Sequence, residues 1–208
     1  MRYCIFLLAA MALAQDFEND KVKARTITLK PGHKSPLHNH PANRVLVFLD
    51  AGKERLSTPG GRSETETFKA GRVQFSPASP AQHFSESLAK KPFRIVEITL
   101  KNEGGPASLN PLDPVKTDPK HYKVELENQQ VRVIRARYGA RETGLLHEHA
   151  GNRVVVFLTD YNLQITNPDG KVAIAQGKAG ATSWGATSRH TEVNLNNKVF
   201  EVIAVDIR

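Results

Sequence analysis

The sequence predicts an all-β chain folded as two tandem small β-barrels, and three observations carry that prediction. The segment 37–49 (LHNHPANRVLVFL) realigns without gaps on 146–158 (LHEHAGNRVVVFL) at an offset of 109, with nine of thirteen positions identical. The match continues outward: Glu18-Asn19 with Glu127-Asn128, Val22 with Val131, Ala70-Gly71 with Ala179-Gly180, and Phe75 with Trp184. Two residues then drop out of the second copy, and His83, Leu88, Lys91 and Phe93 match His190, Leu195, Lys198 and Phe200 at an offset of 107. A repeat of this length sets the architecture before any propensity is consulted. Within each copy the signal is β: short runs rich in Val, Ile, Leu, Thr and Phe, often alternating, and no long amphipathic helix.

Taken in order, the chain opens with Met1-Arg2, a short apolar run at 3–11 and the small-x-small sequence Ala12-Leu13-Ala14. This is the plan of a secretory signal peptide over residues 1–14, and the run is too short to span a bilayer comfortably. The expected localisation is periplasmic or secreted, with no stable membrane insertion after cleavage. The single cysteine, Cys4, falls in this segment, so the mature chain would have no disulfide, thiolate ligand or thiol nucleophile. The first barrel follows over 15–101, with strands expected at 23–30, 44–49 and 94–100 and a turn at Thr58-Pro59-Gly60-Gly61. A segment with four prolines and two glycines, 102–120, reads as an extended surface linker. The second barrel covers 121–208, with strands at 131–138, 153–159 and 198–207. There, Asn167-Pro168-Asp169-Gly170 joins a hairpin.

Composition excludes several classes. The hydrophobic fraction of 39% and charged fraction of 24% are those of an ordinary globular protein. Without the leader the net charge is +7. The basic residues are scattered as singles and pairs with no aromatic interleaving, so nucleic acid is not an expected partner, whereas an acidic small molecule is compatible. There is no nucleophile elbow and no phosphate-cradling glycine loop.

Six of the eight histidines form two matching sets: His38, His40 and His83; His147, His149 and His190. On a strand, positions i and i+2 share a face, so each His-x-His pair aims both imidazoles one way, and the third needs only a neighbouring strand to join them. Three converging imidazoles suit a divalent transition metal (Zn, Fe, Mn, Cu or Ni) and leave coordination positions open. His33 and His121 have no counterpart and read as surface residues. Phe75 and Trp184 are expected to line the barrels. Glu192, two residues from His190, either orients that histidine or acts as a base, with a surface role favoured for it and for Glu86.

Each copy resembles a cupin domain, and the whole chain resembles a bicupin, of the jelly-roll barrel type. Gly32, His38 and His40 fit the opening of the first family motif; Gly71, Pro77 and His83, and Gly180, His190 and Asn194, follow the second loosely. The resemblance implies a fold but little about activity, because cupins range from storage proteins to dioxygenases and isomerases. It also implies a homodimer as one possible assembly. The family's glutamate ligand would fall at 44–45 and 153–154, where this chain has Arg44-Val45 and Arg153-Val154. A site of three neutral ligands leaves the metal's charge uncompensated and favours an anionic ligand. Arg44 and Arg153 share parity with the histidine pairs. They either face the barrel interior, where a guanidinium could clamp a substrate carboxylate, or point outward to cap the rim. The expected function is a secreted metal-binding bicupin acting on or binding a small anionic or oxygen-rich molecule, as an oxygenase, isomerase or lyase. The alternative is a non-catalytic small-molecule or metal-binding protein.

Overall fold

The computed structural model describes residues 16–108 and 110–208; the leader expected at 1–14, with Cys4, lies outside them. The first barrel is built from β1 (Phe17–Glu18), β2 (Val22–Leu29), β3 (His38–His40), β4 (Arg44–Phe48), β5 (Gly52–Ser57), β6 (Ser63–Phe68), β7 (Val73–Ser76), β8 (Ser79–Ser87) and β9 (Phe93–Leu100). A short helix, α1 (Pro114–Thr117), precedes the second barrel. That barrel comprises β10 (Tyr122–Glu127), β11 (Val131–Tyr138), β12 (His147–His149), β13 (Arg153–Phe157), β14 (Tyr161–Thr166), β15 (Val172–Gly177), β16 (Thr182–Gly185), β17 (Ser188–Asn194) and β18 (Phe200–Ile207).

The two copies have the same topology. Five-stranded sheets run β1-β2-β9-β4-β7 and β10-β11-β18-β13-β16; four-stranded sheets run β3-β8-β5-β6 and β12-β17-β14-β15. All pairings between named strands are antiparallel. Both expected hairpin turns form, with Gly61 at φ 83° and Gly170 at φ 80°, a left-handed backbone that glycine adopts without steric cost. The chain is all-β, as its repeats and alternation foretold.

Alternation along the five-stranded sheets sends two sets of side chains in opposite directions. Val22, Ala24, Val45, Val47, Val96 and Ile98 of the first sheet join Val131, Val133, Val154, Val156, Ile203 and Val205 of the second in a single buried cluster. The two barrels are therefore packed sheet against sheet through a β-branched seam, and burial of that area is the main term holding them together. Phe75 and Trp184 belong to this seam, with Trp184 edge-on to Phe17 at 6.3 Å. This corrects their expected place lining the barrels. Phe75 lies opposite Val45 and Trp184 opposite Val154, so they face the other barrel.

The other side chains of these strands point into each barrel. There Phe48, Phe68 and Phe93 form the first barrel's small core, and Tyr122, Tyr138, Tyr161 and Phe200 part of the second's larger one.

The segment between the barrels is only partly the extended surface linker expected. Asp113 caps α1, its side chain accepting from Val115 N at 3.0 Å, with proline at the first helical position as helix starts favour. Asn110 Nδ2 donates to Glu148 O at 2.6 Å and Glu148 N donates to Leu112 O at 2.8 Å, so residues 110–118 are stitched to β12. Asn110, Asp113 and Asp118 are buried.

Two candidate metal centres, one open and one closed

The topology brings each histidine triple to one point. In the second barrel His147 lies opposite His190 and His149 opposite Ser188. In the first, His38 lies opposite His83 and His40 opposite Ser79, with a register shift between them. Ser79 and Ser188 are 109 apart and His83 and His190 are 107 apart, so the two extra residues of the first copy are absorbed as an irregularity in β8. The insertion leaves the third histidine in register with the first.

In each triple, nitrogen atoms of all three rings lie within 4.8 Å of one another. Ring centroids are 4.4–5.2 Å apart in the first triple and 4.6–5.6 Å apart in the second. The tautomer is set identically in both copies. His38 Nδ1 lies 2.9 Å from Pro36 O and His147 Nδ1 lies 2.9 Å from Leu145 O. A carbonyl only accepts, so Nδ1 carries a proton, and a neutral ring in that tautomer has its lone pair on Nε2. Fixing one ring nitrogen to a carbonyl so that the other can coordinate is the usual support of a metal-bound histidine. Burial, aided by Arg44, lowers His40 to about 4, and burial lowers His190 to about 4. Burial, with Arg153, holds His149 well below the usual imidazole value. These rings are neutral at pH 7 and need lose no proton to bind a cation. Donor type, tautomer and convergence all fit a divalent transition metal, held by His38, His40 and His83 in one barrel and by His147, His149 and His190 in the other.

Beyond the shared histidines the surroundings diverge. The first triple opens on a cavity of about 590 Å³ lined by both sheets, and its histidines are half-buried. Arg44 does face the interior, as one of the two expected orientations has it. Its Nη1 donates to Glu97 Oε2 at 2.7 Å and its Nη2 to Ser76 Oγ at 2.8 Å. Glu97 also accepts from Arg25 Nε at 2.9 Å. Burial alone would raise the Glu97 carboxyl, but Arg44 and Arg25 outweigh it and hold Glu97 below the usual carboxylate value. Two guanidiniums thus share one carboxylate in the cavity wall, a net positive group. Glu54, across the cavity on β5, is raised by burial and lies in the field of His38 and Arg44. His33, expected as a plain surface residue, is exposed but sits at this cavity's mouth.

The second triple is enclosed. His147 is fully buried, and His149 and His190 nearly so. Tyr122 Oη donates to Glu192 Oε1 at 2.7 Å, accepts from Tyr138 Oη at 2.9 Å, and lies 3.1 Å from His147 Nε2. Glu192 is 8% exposed, which corrects the surface role favoured for it: its partner Tyr122 comes from a strand distant in sequence. Glu86 is half-exposed and pairs with Arg55 at 3.3 Å. Arg153 also points inward, but donates to Ala186 O at 2.7 Å and Ser188 Oγ at 3.0 Å rather than to a carboxylate. Opposite it in register is Asp206, pushed up to about 7 by burial against the pull of Arg153.

His121, expected at the surface, is 5% exposed. Its Nδ1 lies 2.8 Å from Asp118, its Nε2 3.1 Å from Glu142, and its ring stacks on Tyr138 at 4.1 Å. Asp118 in turn accepts from Leu145 N at 3.0 Å, so this cluster braces the residue whose carbonyl orients His147. Sequence reasoning passed over Glu97, Glu54 and Tyr122, and placed His121 at the surface, because none recurs in the other copy. Signals existed: Glu97 is a lone acid in the apolar run FRIVEITL, and three of the four tyrosines fall in the second half.

No known family profile matches this sequence, and no curated protein does. Among solved structures the chain is similar to AerE from Microcystis aeruginosa, with a TM-score of 0.65 at 13% identity, covering 98% of this chain and 95% of that one. It is similar to a cupin 2 conserved barrel domain protein from Leptotrichia buccalis, with a TM-score of 0.56 at 14% identity over 98% of this chain and 92% of that one. It is also similar to a variant oxalate decarboxylase from Bacillus subtilis, with a TM-score of 0.60 at 12% identity over 90% of this chain and 69% of that one. Another structure of that decarboxylase is described by its Mn(II) centres. The matching topologies, the seam between barrels and these likenesses together show that the chain has the bicupin fold, two cupin barrels in tandem with a histidine triple in each.

Proposed function

We propose that this is an exported metal-binding bicupin whose first barrel binds, and acts on, a small anionic or oxygen-rich molecule at a three-histidine divalent metal. The observation that carries the reading is the repeated tautomer control: in both barrels a backbone carbonyl two residues upstream takes the Nδ1 proton and leaves Nε2 to its neighbours. The Mn(II) centres of the similar decarboxylase are in keeping with a divalent metal.

The first barrel is the better candidate for chemistry because its triple opens on a cavity of about 590 Å³, the size range of small-molecule sites, whereas the second triple is buried. A metal there would act as a Lewis acid on a chelating oxygen ligand. The protein's part is to position that ligand. Arg44, locked by Glu97 and Ser76, presents a fixed guanidinium to an anion. Arg25 adds a second positive charge, and Ile27, Leu29 and Ile95 supply an apolar floor. Glu54 is placed to hold or give a proton within the cavity. Arg153 lies beside the buried second triple whereas Arg44 lines the open cavity, so substrate contact falls to Arg44.

The second reading, a non-catalytic metal-binding protein, is favoured by one specific observation: the enclosure of the second triple by Tyr122 and Glu192. Elemental analysis of full-length protein exported to a periplasm tests the shared premise. Two metal ions per chain are expected, with at most one left in a His38→Ala or a His147→Ala variant and none in the double variant. A metal-free wild-type protein of ordinary stability contradicts it.

A further inference from the structure

We infer that the Tyr122 hydroxyl is the fourth donor of the second barrel's metal centre, which makes that centre a closed His3Tyr site with no position for substrate. The inference rests on the reading of the second triple as a metal site and goes beyond its three histidines. Hydrogen-bond accounting leads to it. Tyr122 has one hydroxyl proton, and Glu192 Oε1 takes it at 2.7 Å. Tyr138 donates its own proton to Tyr122 Oη at 2.9 Å. His147 has its proton on Nδ1, bonded to Leu145 O. With a single proton on the His147 ring, the Tyr122 oxygen and His147 Nε2 meet at 3.1 Å with a lone pair on each side and no hydrogen to place between them. Two buried acceptors facing each other call for a cation in their midst.

The spacing agrees. Two donors bound to one tetrahedral metal at about 2.0–2.1 Å are roughly 3.3 Å apart, close to the observed separation. A second, independent sign comes from His149, whose Nδ1 is buried with no hydrogen-bond partner while its ring lies 6.5 Å from Tyr122 and 5.6 Å from His190. That buried nitrogen has no partner to satisfy it, as befits a ring placed to share a cation. The phenol is presented rigidly: Tyr122 and Tyr138 are fully or almost fully buried, and Glu192 is 8% exposed. Among the described residues the first triple has no equivalent, since Ser85 stands where the second copy has Glu192 and Leu29 where it has Tyr138.

The test uses full-length protein carrying His38→Ala and His40→Ala, so that added Co(II) reports only the second barrel. The expected result is one Co(II) per chain with the intense visible absorption of a four-coordinate ion. Tyr122→Phe should weaken and shift that spectrum and lower Co(II) affinity by about 10- to 100-fold. Tyr138→Phe, which leaves the donor oxygen in place, should keep the spectrum's shape, and it controls for general loosening of the core. Co(II) uptake with a spectrum indifferent to Tyr122→Phe overturns the inference while leaving the metal reading intact. Absence of Co(II) uptake overturns both.

Discussion

The two barrels share a topology, a histidine triple and a tautomer-fixing carbonyl, and differ in nearly everything that surrounds the triple. In the first barrel the wall positions are polar: Arg25, Glu54, Ser85 and Glu97. In the second the matching positions, at offsets of 109 and 107, are Ile134, Leu163, Glu192 and Ala204. Leu29 and Gly52 of the first become Tyr138 and Tyr161 of the second. The outcome is an open, charged cavity in one copy and a ring-filled interior in the other. What is retained in both copies is what a metal needs; what differs is what a substrate would need. A duplicated fold can thus keep two centres and give only one of them room for a ligand.

The largest expected difference lies in how the two interiors tolerate loss of a ring. Phe93 and Phe200 are matched positions, both fully or nearly fully buried. Phe→Ala at either should cost about 3–5 kcal/mol in denaturant unfolding. Phe200→Ala should stand at the upper end, since the tyrosine-packed second barrel has less freedom to close over the void. Equal or reversed losses would break the contrast between a loose and a filled interior.

Next in size is Glu97→Ala. This strips Arg44, whose side chain is 11% exposed, and Arg25 of the one carboxylate that pairs with them among the described residues, and should cost about 3 kcal/mol through the uncompensated charges. At the same time the cavity gains positive charge, so binding of small anions should tighten. Loss of stability with weaker anion binding would mean that Glu97 shapes the pocket rather than neutralising it.

A smaller, pH-dependent effect follows from the histidines. In metal-free protein His190 has a folded value near 4 against an ordinary value of 6.5. The unfolded chain binds its proton first, so stability is present above about pH 6.5 and is lost as pH falls towards 4, by on the order of 2–3 kcal/mol for this residue. Thermal unfolding of chelator-treated protein against pH should show that slope, and His190→Asn should flatten it. His40 acts in the same direction with less weight, being more exposed. An unchanged slope in His190→Asn would show that its burial does not control its proton.

The smallest expected effect sits at the seam. Gly71 and Gly180 are matched, with φ of 80° and 90°, and each lies against an arginine of the opposite barrel: Arg135 and Arg94. Alanine at either should cost about 1 kcal/mol or somewhat more, from the left-handed backbone and the close approach together. If both were silent, the seam would be looser than its geometry implies.

Much of this molecule was legible in its sequence, and the boundary of legibility has a physical cause. The His-x-His pairs, the hairpin glycines and the β-branched runs were readable because strand alternation and turn chemistry are local and because two copies repeat them. The inward direction of Arg44 and Arg153 was readable only as parity. Comparison between copies is blind to residues held by one copy alone. Glu97, Glu54 and Tyr122 are of that kind, and the partners of Glu97 and Tyr122 lie on strands far away in sequence. Phe75 and Trp184 were misplaced for a related reason. Alternation says that a strand has two faces, but not that the face away from the barrel interior is covered by the other barrel. The short helix and buried acids of 110–118 were hidden behind proline and glycine content, which signals irregular backbone but not whether it docks.

The division between the barrels is tested most directly by an anion probe on singly loaded protein. One variant, His147→Ala/His149→Ala, keeps only the first triple; the other, His38→Ala/His40→Ala, keeps only the second. Each is loaded with Cu(II), and the electron paramagnetic resonance spectrum is followed as azide is added. The account predicts a saturable change in the spectrum of the first variant and none in the second, whose centre has no position to offer. Azide-responsive spectra from both, or from the second alone, would contradict it.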